Sequence, residues 1–433
     1  MQRQISVNLG NLLLSLSEIT DIANPAISQH QQRTAFIAVE IAMCAGMSTQ
    51  MVENIFAAAL LHDVGAISIE EKTELHHIKS VYDNDLNTAL HCIRGEILLK
   101  GTPWFKDLSL IVRHHHTDYK DLVGRIDDTY MIAAQVIFLS DIVERLVDRK
   151  KYILHQHQEI IDEVMKIPFY RIKKDIINSF ILTSEREEFW LDLVSPRLYS
   201  VLLYNGPYRN LHIDMNYIFH ISEMYKSIID FKSPFTATHT TGVAESATLI
   251  SKIFGLTEFE INLIRIAGYL HDIGKLVIPN KILEKAGRLT KDEFAIIKSH
   301  TYYTYYIINT IGGLEKIVDW AAYHHEKLDG TGYPFRCKQD EIGIGSRIMT
   351  VADIFTAITE DRPYRQGMSE NQVYQIFKDE VENNKLDGKI VSILFDHFED
   401  IYESVKIKQY KAKEFYENHF MKYNLTEIGD ENV

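Results

Sequence analysis

The sequence predicts an all-α fold of two tandem helical bundles, and three observations carry that prediction. Apolar residues in nearly every long segment recur at helical rather than alternating spacing. Strand-like runs are short and isolated. One set of side chains also occurs twice: His30, His62-Asp63, His91 and His115-His116 reappear as His239, His271-Asp272, His300 and His324-His325, each offset by 209 residues. Asn24-Pro25 precedes His30 as Ser233-Pro234 precedes His239. Asp141 maps to Asp353 with an offset of 212, which places a three-residue insertion between the copies. Four matching intervals of this kind indicate an internal duplication.

A chain of 433 residues exceeds one ordinary core, and the repeat spacing implies two domains of about 200 residues each. The linker is read from residues 183–211, where the charged run Glu185-Arg186-Glu187-Glu188 is followed by Pro196 and Gly206-Pro207. That places the boundary near residues 205–212, with one domain at 1–205 and the other at 213–433. In the second half, Ile261, Ile264, Ala267 and Leu270 repeat every third position and deliver His271 at the end of a buried helix. Thr290-Lys291-Asp292-Glu293 predicts a capping box opening the next helix, on which Phe294, Ile297, Thr301 and Ile308 form a stripe flanked by His300. Ile317, Ala321 and His324 share a face, so His324 should point inward. Residues 347–359 predict a further helix, with Ile348, Val351, Phe355 and Ile358 as its core face and Asp353 at the edge. The charged, aromatic tail after Lys406 predicts a terminal helix that frays beyond Asn424.

Composition narrows the class. Hydrophobic residues make up 46% of the chain and charged residues 24%, the balance of a globular protein. No stretch approaches the roughly 18 apolar residues of a membrane span, and Met1-Gln2-Arg3-Gln4 lacks a signal-peptide pattern. The three cysteines, Cys44, Cys92 and Cys337, are odd in number and lack metal-ligand spacing, so a reducing cytoplasm is the expected location. A net charge of −14 argues against nonspecific binding to DNA or RNA. A small anion remains compatible if local cations outweigh that background; Lys275, Lys281, Lys285, Arg288, Lys327, Arg347, Arg362 and Arg365 lie around the second set of donors.

That second set comprises His239, His271, Asp272, His300, His324, His325 and Asp353, seven nitrogen and oxygen donors within 115 residues. It suffices for a dinuclear centre. Two metals about 3.5–4 Å apart lower the pKa of a bridging water and clamp both oxygens of a phosphodiester during in-line attack. Asp272 is the natural bridge, with His239, His271 and Asp353 on one side and His300, His324 and His325 on the other. Lys275, four residues after His271, can reach a non-bridging phosphate oxygen. Imidazole and carboxylate ligation without thiolate suits iron or manganese, with zinc, nickel or magnesium as alternatives.

These residues resemble the HD-GYP phosphodiesterases, a branch of the HD metal-dependent phosphohydrolases. The likeness spans roughly residues 213–420 and rests on His324-His325-Glu326 followed by Asp329-Gly330-Thr331-Gly332-Tyr333-Pro334. It extends to Val351-Ala352-Asp353-Ile354-Phe355 and Arg362-Pro363-Tyr364-Arg365. The resemblance implies a cyclic-dinucleotide substrate, c-di-GMP or 3′3′-cGAMP, opened to a linear dinucleotide. It also implies substrate contacts at Arg362 and Arg365, with Tyr333 a further contact. The two-copy layout with a degenerate front half is similar to Vibrio-type cGAMP phosphodiesterases. Two positions depart from the family pattern. Phe235 stands where some members carry a Glu that helps to hold a third metal, so a binuclear site is expected. Thr356 stands where an Asp is common, one turn from Asp353, removing a negative charge from that side.

In the first half, His30, His62, Asp63, His91, His115, His116 and Asp141 could still bind metal, although the triple His114-His115-His116 leaves the register open. Ala66 replaces Lys275, and Thr117-Asp118-Tyr119-Lys120 replaces the Gly-Tyr-Pro segment. The expected role is therefore regulatory, docking or dimer-forming, with a homodimer among the readings. Plainer readings apply elsewhere. Gly330, Gly332 and Pro334 build a tight loop, tyrosines 302, 303, 305 and 306 read as core, and Glu326 reads as orienting a ligand imidazole. His76-His77, His155 and His157 break the duplicated spacing and are expected to face solvent. The rival functions are an enzyme of the same superfamily acting on another nucleotide and a non-catalytic cyclic-dinucleotide sensor or scaffold.

Overall fold

A computed structural model describes residues 5–21, 28–66, 68–77, 86–232, 238–285, 287–361 and 366–419. Helices dominate. Among the described residues, strands are confined to Val7–Asn8 and His212–Ile213, paired antiparallel with Val7 opposite Ile213. The chain divides into two compact units, the first Ser6–Ile213 and the second from Asp214 onward. The short ribbon thus ties the first unit's opening residues to its last ones. No helix among the described residues is long and apolar enough to cross a membrane.

The duplication is visible helix by helix. His30–Cys44 corresponds to His239–Phe254, and Thr49–Leu60 to Glu258–Leu270; both pairs keep the 209-residue offset at their first residues. Leu86–Lys100 corresponds to Lys291–Ile311, Ser109–Arg113 to Glu315–Ala322, and Asp128–Leu146 to Ile344–Thr359. Each unit buries the inward stripes of these five helices. In the first, Ile37, Ile41, Ile55, Val136 and Ile137 are fully enclosed; in the second, Val243, Ile250, Ile264, Ile266, Ile348 and Phe355 are. Burying an aliphatic side chain of this size contributes roughly 1.5–3 kcal/mol, so these stripes are what hold the donor-bearing helices together.

Helix starts follow the local chemistry. Thr290 Oγ1 accepts from Glu293 N at 3.2 Å while Glu293 accepts from Thr290 N at 2.7 Å, the expected capping box. Thr257 and Glu260 form a second one. The helix opened at Thr290 departs from its expected stripe, because Phe294 is 43% exposed and Ile297 is only half-buried. The tyrosine run on the same helix is not core either: Tyr302 and Tyr306 lie largely in solvent, and Tyr303 and Tyr305 are half-buried. Only Thr301, Thr304, Ile307, Ile308 and Ile311 turn inward with His300. The tail forms the helix Phe398–His419, and Asn424 lies outside the described residues.

Candidate metal centre

Three helices and two turns of the second unit bring the seven donors together. His239 opens its helix, Asp353 lies in the middle of Ile344–Thr359, and His300 lies in the middle of Lys291–Ile311. His271-Asp272 follows Leu270, and His324-His325 follows Ala322 one residue later. The His-Asp turn is held by Thr304, whose hydroxyl donates to His271 O at 2.9 Å and accepts from Gly274 N at 3.1 Å. Gly274 lets the turn lie against the neighbouring helix, since a Cβ there would sit 1.9 Å from His300 O. The same device recurs in the first unit, where a Cβ on Gly65 would sit 2.0 Å from His91 O.

Three imidazoles are oriented alike. His271, His300 and His324 each donate from Nδ1 to the carbonyl three residues earlier, at 2.8, 2.6 and 2.6 Å. That fixes the tautomer and leaves a lone pair on Nε2 facing the centre. Asp272 stands between the imidazoles. Its Oδ2 is 3.2 Å from His271 Nε2 and 3.9 Å from His239 Nε2, whereas its Oδ1 is 3.4 Å from His300 Nε2 and 3.9 Å from His324 Nε2. Asp353 joins the first set through His239 Nε2 at 3.1 Å and approaches His325 Nδ1 at 3.7 Å.

The centre is dry and highly polar. His271, Asp272, His300 and His324 are at most 1% exposed. Yet His271 Nε2 and Asp272 Oδ1 have no hydrogen-bond partner, and His300 Nε2 faces His324 Nε2 at 3.3 Å with both Nδ1 protons already committed. Unpaired buried lone pairs in this density are costly, and cations satisfy all of them at once. The donor set therefore fits metal ions. Charges follow from the same geometry. Burial alone would raise the Asp272 carboxyl, but the Lys275 ammonium and His271 outweigh it and hold it well below the usual carboxylate range. Burial pushes His300 down to about 3 and His325 to about 4, so both are neutral donors near pH 7. Burial would lower His239 as well, but Asp353 and Glu360 beside it prevail and raise it to about 9.

Several expectations need correction. Glu326 does not orient an imidazole: its carboxylate accepts from Phe335 N, Arg336 N and Cys337 N at 2.7–3.1 Å and anchors the loop after Tyr333. A Cβ on Gly332 would lie 2.5 Å from Glu326 Cα, so the loop folds back on the His-His segment only with glycine there. The presumed cation cluster is largely neutralised, because Lys285 pairs with Glu293, Lys327 with Glu380 and Arg347 with Asp387. Lys275 Nζ lies on Asp272 Oδ2 at 2.6 Å. Thr356 does not leave that side without an acid: its hydroxyl donates to Ala352 O at 2.8 Å, while Glu360, one turn further on, comes within 3.7 Å of His239 Nδ1. Arg362, Arg365 and Phe235 lie outside the described residues, as do the side chains of His76 and His77. His155 is exposed as expected, but His157 is half-buried against Trp190.

Glu360 and Lys298 escape the sequence reading, which places Phe294 in an apolar stripe rather than at the site. Glu360 lies seven residues after Asp353, a two-turn spacing that could have signalled it. Tyr333 packs against the His325 ring at 4.9 Å with the planes tilted by 38°, Phe294 meets Tyr333 at 6.3 Å, and Lys298 Nζ lies over both the Phe294 and Tyr333 rings. Together they form an aromatic, cationic rim beside the donors.

The first unit repeats the arrangement, and models of the HD domain match residues 27–149 and 223–390. The chain belongs to the HD-domain family. It carries the HD domain twice, and the second copy is of the HD-GYP type. A relative, 3′3′-cGAMP-specific phosphodiesterase 1 of Vibrio cholerae, is 28% identical over 92% of this chain and 94% of its own length. A cyclic di-GMP phosphodiesterase of Thermotoga maritima is 34% identical over 41% of this chain and 47% of its own length. Among solved structures, a cyclic GMP-AMP-specific phosphodiesterase of V. cholerae has the same fold, with a TM-score of 0.62 at 21% identity, covering 91% of this chain and 98% of that one.

Proposed function

We propose that the second HD unit is a metal-dependent phosphodiesterase that opens a cyclic dinucleotide, 3′3′-cGAMP or c-di-GMP, to a linear dinucleotide. The observation that carries this is Asp272: a fully buried carboxylate whose two oxygens face two separate imidazole sets, one oxygen having no hydrogen-bond partner. His239, His271, Asp272 and Asp353 would hold one cation, and Asp272, His300, His324 and His325 the other. Such a pair, when bound, lowers the pKa of water and neutralises charge building on a phosphodiester. Iron or manganese suits these donors, with zinc, nickel or magnesium as alternatives.

The protein's own side chains do the rest. Lys275, 21% exposed and seated on Asp272, keeps a positive charge at the mouth of the centre, where a non-bridging phosphate oxygen would lie. Tyr333, Phe294 and Lys298 supply ring faces and a cation for a base and a phosphate. Glu326 fixes Tyr333 indirectly by pinning the loop that carries it. The relatives support the substrate class through their names, and Arg362 and Arg365 remain proposed phosphate contacts. The deciding experiment loads the chain anaerobically with iron or manganese, supplies c-di-GMP or 3′3′-cGAMP, and separates products by chromatography. Linear dinucleotide is expected. Lys275→Ala should lower kcat by roughly 10²–10³-fold, in line with loss of one charge-stabilising group. Tight binding without product would make the chain a sensor instead.

A further inference from the structure

The first HD unit contains a cluster that the activity above does not use. Asp63, His91, His115 and His116 offer four ligand atoms all within 4.8 Å of one another; among the described residues no other group reaches four. Asp63, His91 and His115 are at most 3% exposed. His91 Nε2 lies 3.2 Å from His115 Nε2 and 3.3 Å from Asp63 Oδ1, and His115 Nε2 lies 3.9 Å from Asp63 Oδ1. A tetrahedral site with bonds near 2.0–2.1 Å has ligand–ligand edges of about 3.3 Å. His115 Nδ1 is pinned to Val112 O at 2.6 Å, so its Nε2 lone pair is aimed inward as in the second unit. The structure also fixes the register, since His114 turns aside toward Thr117.

The other side of the same pocket is built differently. Arg145, one turn after Asp141, sets Nη2 on Asp141 Oδ2 at 2.5 Å. Glu144 binds His30 Nδ1 at 2.6 Å and is itself met by Arg149 at 2.8 Å and Arg33 at 3.7 Å. A permanent guanidinium charge thus occupies the aspartate that in the second unit, as Asp353, meets only imidazoles among the ion pairs found. His30, His62 and Asp63 still face one another there, but a dication drawing on Asp141 as well would meet Arg145 on that carboxylate.

We propose that the first unit holds one divalent cation on Asp63, His91, His115 and His116, with Arg145 standing in for the second cation. Three imidazoles and one carboxylate fill a four-coordinate shell and leave no open position for a reacting water, which makes the site a closed one that suits a cation such as zinc. The same features account for the missing lysine: with Ala66 at that position there is no cation for a phosphate, and none is needed.

The test uses the full chain, stripped with chelator, reloaded with Zn²⁺ or Co²⁺ and desalted before elemental analysis. In a background lacking both positions of the second centre (His239→Ala, Asp272→Asn and His300→Ala), about one metal per chain should remain, with the visible absorption of four-coordinate cobalt. Adding His115→Gln, or His116→Gln as a milder change at the pocket edge, should remove it while circular dichroism stays helical. Adding Arg145→Met instead should raise the content towards two. Absence of metal in the starting background overturns the proposal. So does retention in both histidine variants, or two metals with Arg145 intact.

Discussion

Asp272 shows how little of a residue's role lies in its type. A solvated aspartate would be unremarkable; buried between imidazoles, it is an anion that must be met by cations. Asp272→Asn should therefore abolish binding at both positions and lower turnover on the order of 10³-fold or more. Elemental analysis beside a rate measurement checks this, and a variant that keeps both metals refutes the bridging role. The imidazoles make a separate prediction for the metal-free protein. His300 and His325 titrate near 3 and 4 in the folded chain against 6.5 unfolded. The unfolded chain binds more protons as pH falls below about 6.5, so stability is lost from there down towards 4. His239 has the opposite sign: raised to about 9, its contribution is full below 6.5 and lost as pH rises through 9. Melting temperatures of metal-free protein should peak near pH 6.5, and His239→Gln should make the alkaline limb shallower without moving the acid one, the remainder coming from His30, which is also raised to about 9. A curve unchanged by that substitution would exclude the assignment.

At the scale of elements, the helices were legible because each carries an inward stripe and several carry caps. The helix beginning at Lys291 marks the limit. Its capping box was readable, but Phe294 and tyrosines 302 and 306 face solvent, because spacing defines a face without saying what covers it. Glu326 is similar: its neighbours in sequence suggest a partner for histidine, whereas the folded loop offers it three backbone N–H groups. The turn after His271 rests on a contact no pattern reveals. Gly274→Ala forces a Cβ onto His300 O, and should lower stability by about 2 kcal/mol or more together with metal content. Gly287→Ala, where a Cβ meets nothing within 4 Å, serves as the silent control. Denaturant melts compare them, and equal midpoints would remove Gly274 from the architecture of the site.

For the whole molecule, a net charge of −14 opposes nonspecific binding to a polyanion. Duplex DNA or RNA should cause no mobility shift at physiological salt, and a salt-sensitive complex would contradict this. The duplication, the all-helical class and the seven donors followed from the sequence alone, because histidine and aspartate at fixed intervals survive any uncertainty about geometry. What the folded chain alone decided is which charges meet in and around each pocket. Arg145 reaches Asp141 along its helix and Glu360 reaches His239 from just past the end of its own, and Lys285, Lys327 and Arg347 are taken up by distant acids. A charge acts on whatever packing brings within a few ångströms, and that distance is not written in the order of residues.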